Sequence, residues 1–505
     1  MSAIEGTRPR DGEARMPVEA TPVEAIGGLV ARARDAGFDH AARPLAERAG
    51  LLRALADAIL ADGEAIVALL EEETGKPAAE AWLHEVVPTA DLGSWWSSQG
   101  PAHLATEAVR LDPLAYPGKR ARVEVVPRGV VALITPWNFP VAIPLRTLFP
   151  ALLAGNGVVW KPSEHTPRVA ARVHGIVREV FGPDLVELVQ GAGAQGAALV
   201  EADVDAVVFT GSVATGRKVG AAAGRALTPA SLELGGKDAA VVLDDADLER
   251  TARGLLWAAM ANAGQNCAGL ERVYAVAEVA GPLKARLGEL AGELVPGRDV
   301  GPLVTEAQLA TVERHVREAV DGGAEVLAGG ERLERGGRWF APTVLAEVEP
   351  SSAALREETF GPVVVVQTVA DEAAAVAAAN DSRFGLTASV WTRDAARGEA
   401  VARRLRAGVV TVNNHAFTGA IPALPWGGVG ETGFGVTNSP HALHALVRPR
   451  AVVVDGNARP ELYWHPYDEA LERLGKGMAA LRGKGGPITK VRAVARLLGA
   501  LRRRF

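Results

Sequence analysis

Val130-Val131-Ala132-Leu133-Ile134-Thr135-Pro136-Trp137-Asn138-Phe139-Pro140 is the stretch on which the fold turns. Its first six residues have the length and branching of a buried strand, and the run from Pro140 to Ala154 reads as a helix. The alternation then repeats. Gly157 to Lys161, Leu185 to Gln190 and Ala206 to Thr210 read as strands; Pro167 to Phe181, Gln195 to Ala202 and Ala214 to Gly224 read as helices. Val-rich strands alternating with helices form parallel βαβ units and an open, doubly wound sheet. A second series follows Asp238, with strands at Ala239 to Leu243, Val273 to Val276, Val363 to Thr368, Thr387 to Trp391 and Val409 to Asn413. Helices interleave it from Leu248 and over Ala373 to Ala379, so a second α/β domain is expected.

Outside this core, Thr21 to Gln99 has helical spacing, with Leu51, Leu52, Leu55 and Ile59 on one stripe. Arg110 to Val126 reads as a hairpin broken by Pro113, Pro117 and Gly118, and Leu446 to Val454 as one more strand. The first twenty residues are polar with no apolar run, which predicts disorder and no signal peptide. From Arg473 to Phe505 there are ten Lys and Arg and no acidic residue, with a helical stripe at Val491, Val494, Leu497, Leu498 and Leu501. That tail is either a helix packed on the body or a basic amphipathic helix at an anionic membrane surface.

Composition narrows the function classes. The 505 residues exceed one ordinary core, and 48% apolar with 23% charged residues is typical of a soluble globular chain. A net charge of -6 gives no reason to expect nucleic acid as a partner. One cysteine excludes an intramolecular disulfide and fits a reducing, cytoplasmic setting. No 18-residue apolar stretch predicts a transmembrane helix, and no metal site is expected.

That single cysteine lies in Gly264-Gln265-Asn266-Cys267-Ala268-Gly269, a Gly-bracketed turn between a helical run and a strand run. A lone Cys is commonly a small buried hydrophobe; the turn and its polar neighbours favour a reactive thiol. Leu232-Glu233-Leu234-Gly235-Gly236-Lys237 sets an acid between apolar residues, which raises its pKa toward that of a general base, unless it is simply exposed. Asn138 follows a strand end, where ligands bind in open sheets, and is either a turn former or a positioned amide donor. Trp160-Lys161-Pro162-Ser163-Glu164 also follows a strand; Lys161 and Glu164 could hold a ribose or phosphate, or form a solvated pair.

Two Gly-rich segments match familiar patterns incompletely. Gly191 to Gly196 has the dinucleotide spacing without the acid expected about 20 residues later, and reads as a tight turn. Gly211 to Lys218 has P-loop spacing without Lys-Ser/Thr. What remains there is a helix start suited to an anion, or a plain N-cap by Ser212.

In this order the segments resemble the NAD(P)-dependent aldehyde dehydrogenase superfamily from about Thr21 to Gly456, including Glu358-Thr359-Phe360-Gly361-Pro362, Pro425-Trp426-Gly427-Gly428 and the 34-residue step from Glu233 to Cys267. The resemblance implies an aldehyde-dehydrogenase-like α/β fold. Residues 21–108 and 128–235 would be the NAD-binding domain and 236–430 the catalytic domain. Residues 109–127 and 446–455 would form a protruding β oligomerisation flap, serving a homodimer or homotetramer, and 456–505 a basic C-terminal extension. It further implies that Cys267 attacks a small-molecule aldehyde, that Asn138 and the Cys267 N–H stabilise the oxyanion, and that Glu233 activates the hydrolytic water. Losing one oxyanion donor typically costs about 10²–10³ in kcat. Cofactor contacts are implied at Thr135, Pro136, Trp137, Lys161, Ser163, Glu164, Gly211, Ser212, Gly216, Leu234, Glu358 and Phe360. Glu164 would repel a 2′-phosphate, so NAD is preferred to NADP. Gly428 to Gly433 departs from the commoner run bordering the substrate tunnel, and no Arg pair marks a carboxylate clamp. The expected substrate is therefore an apolar, aromatic or long-chain aldehyde. Succinate-semialdehyde dehydrogenase, a CoA-acylating enzyme and a non-catalytic protein on the same fold are the alternatives; the presence of Glu233 argues against CoA acylation.

Overall fold

Val130–Ile134 sits inside a six-stranded sheet in the computed structural model of the chain, which describes residues 3–504 except 114, 459, 462 and 485. The strand order is Gly433–Phe434, Ala230–Glu233, Ala206–Thr210, Val130–Ile134, Gly157–Lys161, Val186–Leu188. The first pair is antiparallel and the rest parallel. The chain leaves Val130–Ile134 toward one edge and later returns to build the other. The loop Thr135 to Phe139 therefore leaves the sheet where its winding reverses, the place a doubly wound sheet opens a crevice. All five residues of Val130–Ile134 are buried, as both faces of a parallel sheet are covered by helices.

A second sheet of seven strands runs Glu325–Ala328, Thr343–Ala346, Val363–Val369, Leu270–Val276, Asp238–Val242, Thr387–Trp391, Val409–Val412. Only its Glu325–Ala328 edge is antiparallel. Apolar clusters cover both sheets: Leu255, Leu283 and Val366 belong to one on the second sheet, and Ile26, Val159 and Leu199 to one on the first. The amino-terminal helices Leu45–Ala61 and Val87–Gln99 bury Leu52, Leu55 and Trp96 in a further cluster.

Two compact units are present: Met1–Ala105 with Val125–Pro449, and Thr106–Glu124 with Arg450–Phe505. The second holds the outer parts of a three-stranded sheet ordered Val447–Asp455, Lys119–Pro127, Glu107–Val109. The first hairpin strand thus ends before Pro113 and Pro117, which have no N–H to give a ladder. The helices Glu469–Arg482 and Pro487–Arg504 belong to this same unit rather than to a separate extension. The Leu501 side chain and Phe505 lie outside the described residues.

Residues 3–20 correct the expectation of disorder. Ala3–Ile4 pairs antiparallel with Val18–Glu19. Arg15 donates to the His165 carbonyl at 2.6 Å, and Trp339 Nε1 to the Arg10 carbonyl at 2.8 Å. Arginines and backbone groups fix this segment where apolar residues are too few to do so. Low hydrophobicity alone predicted the opposite.

Candidate active site

The helix that precedes the cysteine, Leu248–Met260, stops four residues short of Gly264. Asn262 and Ala263 then take left-handed φ values of 56° and 55°. This turn is held by side chains. Asn262 N–H donates to Glu80 Oε1 at 2.6 Å, and Asn262 Nδ2 donates to the carbonyls of Asn138 and Gln265 at 3.0 and 2.9 Å. Gln265 is buried and structural: its Oε1 accepts from Val304 N–H at 2.8 Å and its Nε2 donates to Asn262 O at 3.1 Å. Backbone strain of this kind persists where surrounding contacts over-determine it, and it clusters at functional sites.

Cys267 comes out half-buried. Burial pushes its thiol up to about 12; Arg146 opposes the shift, and Glu233, Asp238 and Glu358 add to it. Among the described residues no acceptor is found for the Cys267 N–H. Asn138, 3% exposed, donates through Nδ2 to the Gln265 carbonyl at 3.1 Å, which ties it to the cysteine turn. Its Oδ1 is buried without a partner. Glu233 ends the strand Ala230–Glu233, with Gly211 N–H on its carbonyl at 3.0 Å. Its carboxyl is buried, Oε1 has no hydrogen-bond partner, and its pKa is raised by burial against the opposing pull of Arg146.

Cys267 lines a cavity of about 320 Å³ whose walls include Leu92, Phe139, Ile143, Trp257, Phe417 and Trp426. Arg146, on the helix Ala142–Ala154, also faces it, donating to Gly419 O at 3.1 Å with its guanidinium 5.4 Å from the Trp426 ring centre. Asn138 and Glu233 are not on the cavity wall. Nor is any residue of Gly428 to Gly433: its last residue, Gly433, pairs with Glu233 instead, and Thr432 O accepts from Leu234 N–H at 2.9 Å.

Three glycine contacts lock the segments around Glu233, Cys267 and Glu358 together. A Cβ on Gly264 would strike the Gly361 carbonyl, one on Gly235 the Glu358 carboxylate, and one on Gly236 the Cys267 carbonyl. Glu358 accepts from Gly236 N–H at 3.0 Å, and burial, with Glu271 adding, pushes its carboxyl up to about 8. Its loop is held from below. Glu271 accepts from Thr359 N–H at 2.8 Å and Phe360 N–H at 3.0 Å, and pairs with the buried Lys237. Phe360 and Trp137 meet edge to face at 5.6 Å.

The remaining sequence candidates fall at the carboxyl ends of the first sheet's strands. Thr135 Oγ1 accepts from Trp160 Nε1 at 2.9 Å, and Pro136 follows it. Lys161 is buried and pairs with Glu164 at 3.4 Å; Ser163 Oγ reaches Glu164 at the same distance. Burial lowers the Lys161 pKa against Glu164; burial raises the Glu164 pKa, but Lys161 and local hydrogen bonds outweigh it and hold Glu164 low. Gly196, of the first Gly-rich decoy, lies beside the Lys161 stem. Ser212 caps the helix Val213–Ala226 by accepting from Thr215 N–H at 3.3 Å, and Gly211 precedes it. Gly216 packs on Leu234, where a Cβ would collide, so its smallness serves packing there.

Several contributors carry no sequence signal of their own. Lys76 and Glu85 form a buried pair at 2.7 Å; Lys76 Nζ donates to Asn138 O at 3.0 Å, while Glu85 accepts from Val141 and Ala142 N–H at 3.1 and 2.8 Å. Arg146, Lys237 and Glu271 are likewise recognisable only once the chain has folded.

Residues 2–452 match the aldehyde dehydrogenase family. A 4,4'-diapolycopene aldehyde oxidase of Methylomonas sp is 36% identical, covering 92% of this chain and 89% of its own length. A protein of Mycolicibacterium smegmatis named for NADP(+) succinate-semialdehyde dehydrogenase is 38% identical over 82% of this chain and 81% of its own. Among solved structures, a NAD-dependent aldehyde dehydrogenase from Sinorhizobium meliloti superposes with a TM-score of 0.87 at 34% identity, covering 92% and 93% of the two chains. With a lone thiol on a strained turn, two α/β sheets in this order and likeness along most of the chain, the protein belongs to the aldehyde dehydrogenase family.

Proposed function

We propose that the chain oxidises an apolar, aromatic or long-chain aldehyde to the carboxylic acid, using NAD in preference to NADP. The observation that carries this reading is the Cys267 thiol on the wall of a largely apolar cavity, on the turn that also holds the Asn138 amide. Cys267 gives its thiol proton to solvent water, its sulfur forms a bond to the aldehyde carbon, and the carbonyl electron pair moves to oxygen. The Cys267 N–H and the second hydrogen of Asn138 Nδ2 meet that negative charge. Loss of hydride from the carbon leaves a thioester on Cys267. Glu233, whose pKa burial raises and which is thereby the stronger base, takes a proton from water; the hydroxyl adds to the thioester and the carbon–sulfur bond breaks.

The residues present fit a dinucleotide. Lys161 is a buried ammonium with only a long contact to Glu164, and Glu358 is oriented by Gly236 N–H. Lys161, Ser163 and Glu164 would hold the adenosine ribose, the turn Gly211-Ser212 with Trp137 the phosphates, and Glu358 with Phe360 the nicotinamide ribose. When bound, the dinucleotide supplies the hydride acceptor. Glu164, held anionic, opposes a 2′-phosphate.

A second cavity of about 480 Å³ shares Leu83, His84, Trp257 and Ala261 with the first, giving room beyond one short chain. The polyene aldehyde in the name of the Methylomonas relative is in keeping with this. A second reading rests on Arg146: one guanidinium facing the cavity suits an aldehyde with a distal carboxylate, as the mycobacterial relative's name describes. An aldehyde panel read by absorbance of reduced cofactor separates the two. Cys267→Ala abolishes aldehyde-dependent NADH formation while NAD still binds, and equal rates in variant and parent defeat the proposal. Glu233→Gln acylates but stalls in turnover; undiminished steady-state rate removes its role.

A further inference from the structure

The helical hairpin at the chain's carboxyl end presents a face that the catalytic reading does not use. Glu469–Arg482 and Pro487–Arg504 pack through Leu474 and Gly477 against Ala493 and Leu497. At 100° per residue, Ala493 and Leu497 point one way, and Ile488, Val491, Val494 and Leu498 lie about 140° around the helix. Those four are 71, 69, 44 and 57% exposed. This is a second apolar stripe, left open to solvent among the described residues. Arg492 and Arg496 border it on one side and Lys490 on the other.

Charge says what covers it. The acids of Glu469–Arg482 are taken: Glu469 pairs with Arg473 at 2.8 Å and Glu472 with Lys476 at 2.5 Å. Among the described residues no carboxylate pairs with Lys490, Arg492 or Arg496. Between Arg473 and Phe505 the sequence holds ten Lys and Arg and no acid. A second copy of this helix would bring cations against cations. The segment leading into the hairpin exposes Tyr463, Trp464 and Tyr467 at 59, 54 and 73%, the residue types that settle between headgroups and acyl chains. No described helix is long and apolar enough to cross a membrane.

We propose that the outer face of Pro487–Arg504 is a docking surface for an anionic lipid bilayer, with the helix lying in the interface plane and its apolar stripe among the acyl chains. The flanking cations then meet anionic headgroups, which gives an attraction that salt screens. The aldehyde chemistry does not enter this argument, so either conclusion can fail alone.

The test is co-sedimentation of the full-length protein with vesicles of phosphatidylglycerol and phosphatidylcholine in equal parts, against phosphatidylcholine alone. The parent binds the anionic vesicles, and binding weakens as salt rises. R492E combined with R496E lowers the partition about tenfold or more, and V491N combined with L498N lowers it likewise. All three proteins oxidise aldehyde equally in the absence of vesicles, which shows that they are folded. Absence of parent binding at low salt overturns the proposal, as does unchanged binding of the Arg492/Arg496 variant. A parent dimer that V491N with L498N converts to monomer in light scattering also overturns it, because the stripe is then a contact between copies.

Discussion

At Cys267 two demands conflict. On the proposed function the thiol is desolvated against an apolar substrate, yet only the thiolate is nucleophilic. Burial wins in the free protein and pushes the group up to about 12 from an ordinary 9.0, with Arg146 as the opposing charge. A group whose pKa is raised stays protonated until higher pH, so carbamidomethylation of the free enzyme by iodoacetamide should still be climbing at about pH 10, where an ordinary thiol has levelled off. Arg146→Gln removes the opposing cation and should slow that reaction further at every pH, at unchanged fold by circular dichroism. A plateau near pH 9 in the parent would show an unshifted thiol. The candidate residues stood out in the sequence by their settings: Cys267 is the one cysteine in 505 residues, Glu233 sits between two Leu ahead of a Gly pair, and Asn138 follows a strand pattern between Trp137 and Phe139. Arg146 was not, since a helical Arg six residues past Pro140 looks like every other.

The elements that aim these residues are joined by contacts far apart in sequence. Glu85, on the π-helical stretch Trp82–Val86, accepts from the first N–H groups of the helix region carrying Val141 and Ala142, and pairs with Lys76, whose ammonium holds the Asn138 carbonyl. Both side chains are almost fully buried. Removing one partner leaves an uncompensated buried charge, so Glu85→Ala should cost about 3–5 kcal/mol in urea unfolding. The functional signature is separate: kcat falls through Asn138 while NAD affinity holds. Lys237→Met acts on the other loop, freeing Glu271 and the Glu358 to Phe360 segment, and should weaken NAD binding measured by fluorescence titration while leaving Cys267 alkylation unchanged. Strand and helix positions were largely readable where a period runs long enough: Gly157–Lys161, Pro167–Phe181, Ala206–Thr210 and Thr387–Trp391 fall where their patterns put them. Ala230–Glu233 and Thr343–Ala346 were not, because four residues carry too little period to stand out from a loop. The pairs Lys76–Glu85 and Lys237–Glu271 had no local signal at all.

Across the larger unit, the amino-terminal segment runs between groups that belong to both sheets' surroundings. Arg15 reaches the His165 carbonyl after the second strand of the first sheet, while Arg338 donates to Thr7 Oγ1 at 2.8 Å from the stretch before Thr343–Ala346. Sequence composition hid this, because a strap made of arginine and backbone contacts looks the same as a polar tail. Its most buried tie is Arg15 to Glu73 at 3.5 Å, 7% and 1% exposed. Glu73 also accepts from Arg168 and Val169 N–H at 3.1 and 2.8 Å, yet burial still pushes its carboxyl up to about 7 from 4.5. A folded pKa above the unfolded one means that the native state holds the proton more tightly. The stability this contributes is full below about pH 4.5 and is lost as pH rises through about 7. Arg15→Met removes the cation that makes the ionised form tolerable. It should therefore lower stability by about 3 kcal/mol at pH 8 and by clearly less at pH 5. Adding Glu73→Gln to Arg15→Met should recover part of the loss at pH 8 and erase its pH dependence in paired urea melts. An Arg15→Met penalty that is equal at both pH values would mean that Glu73 does not change charge between them.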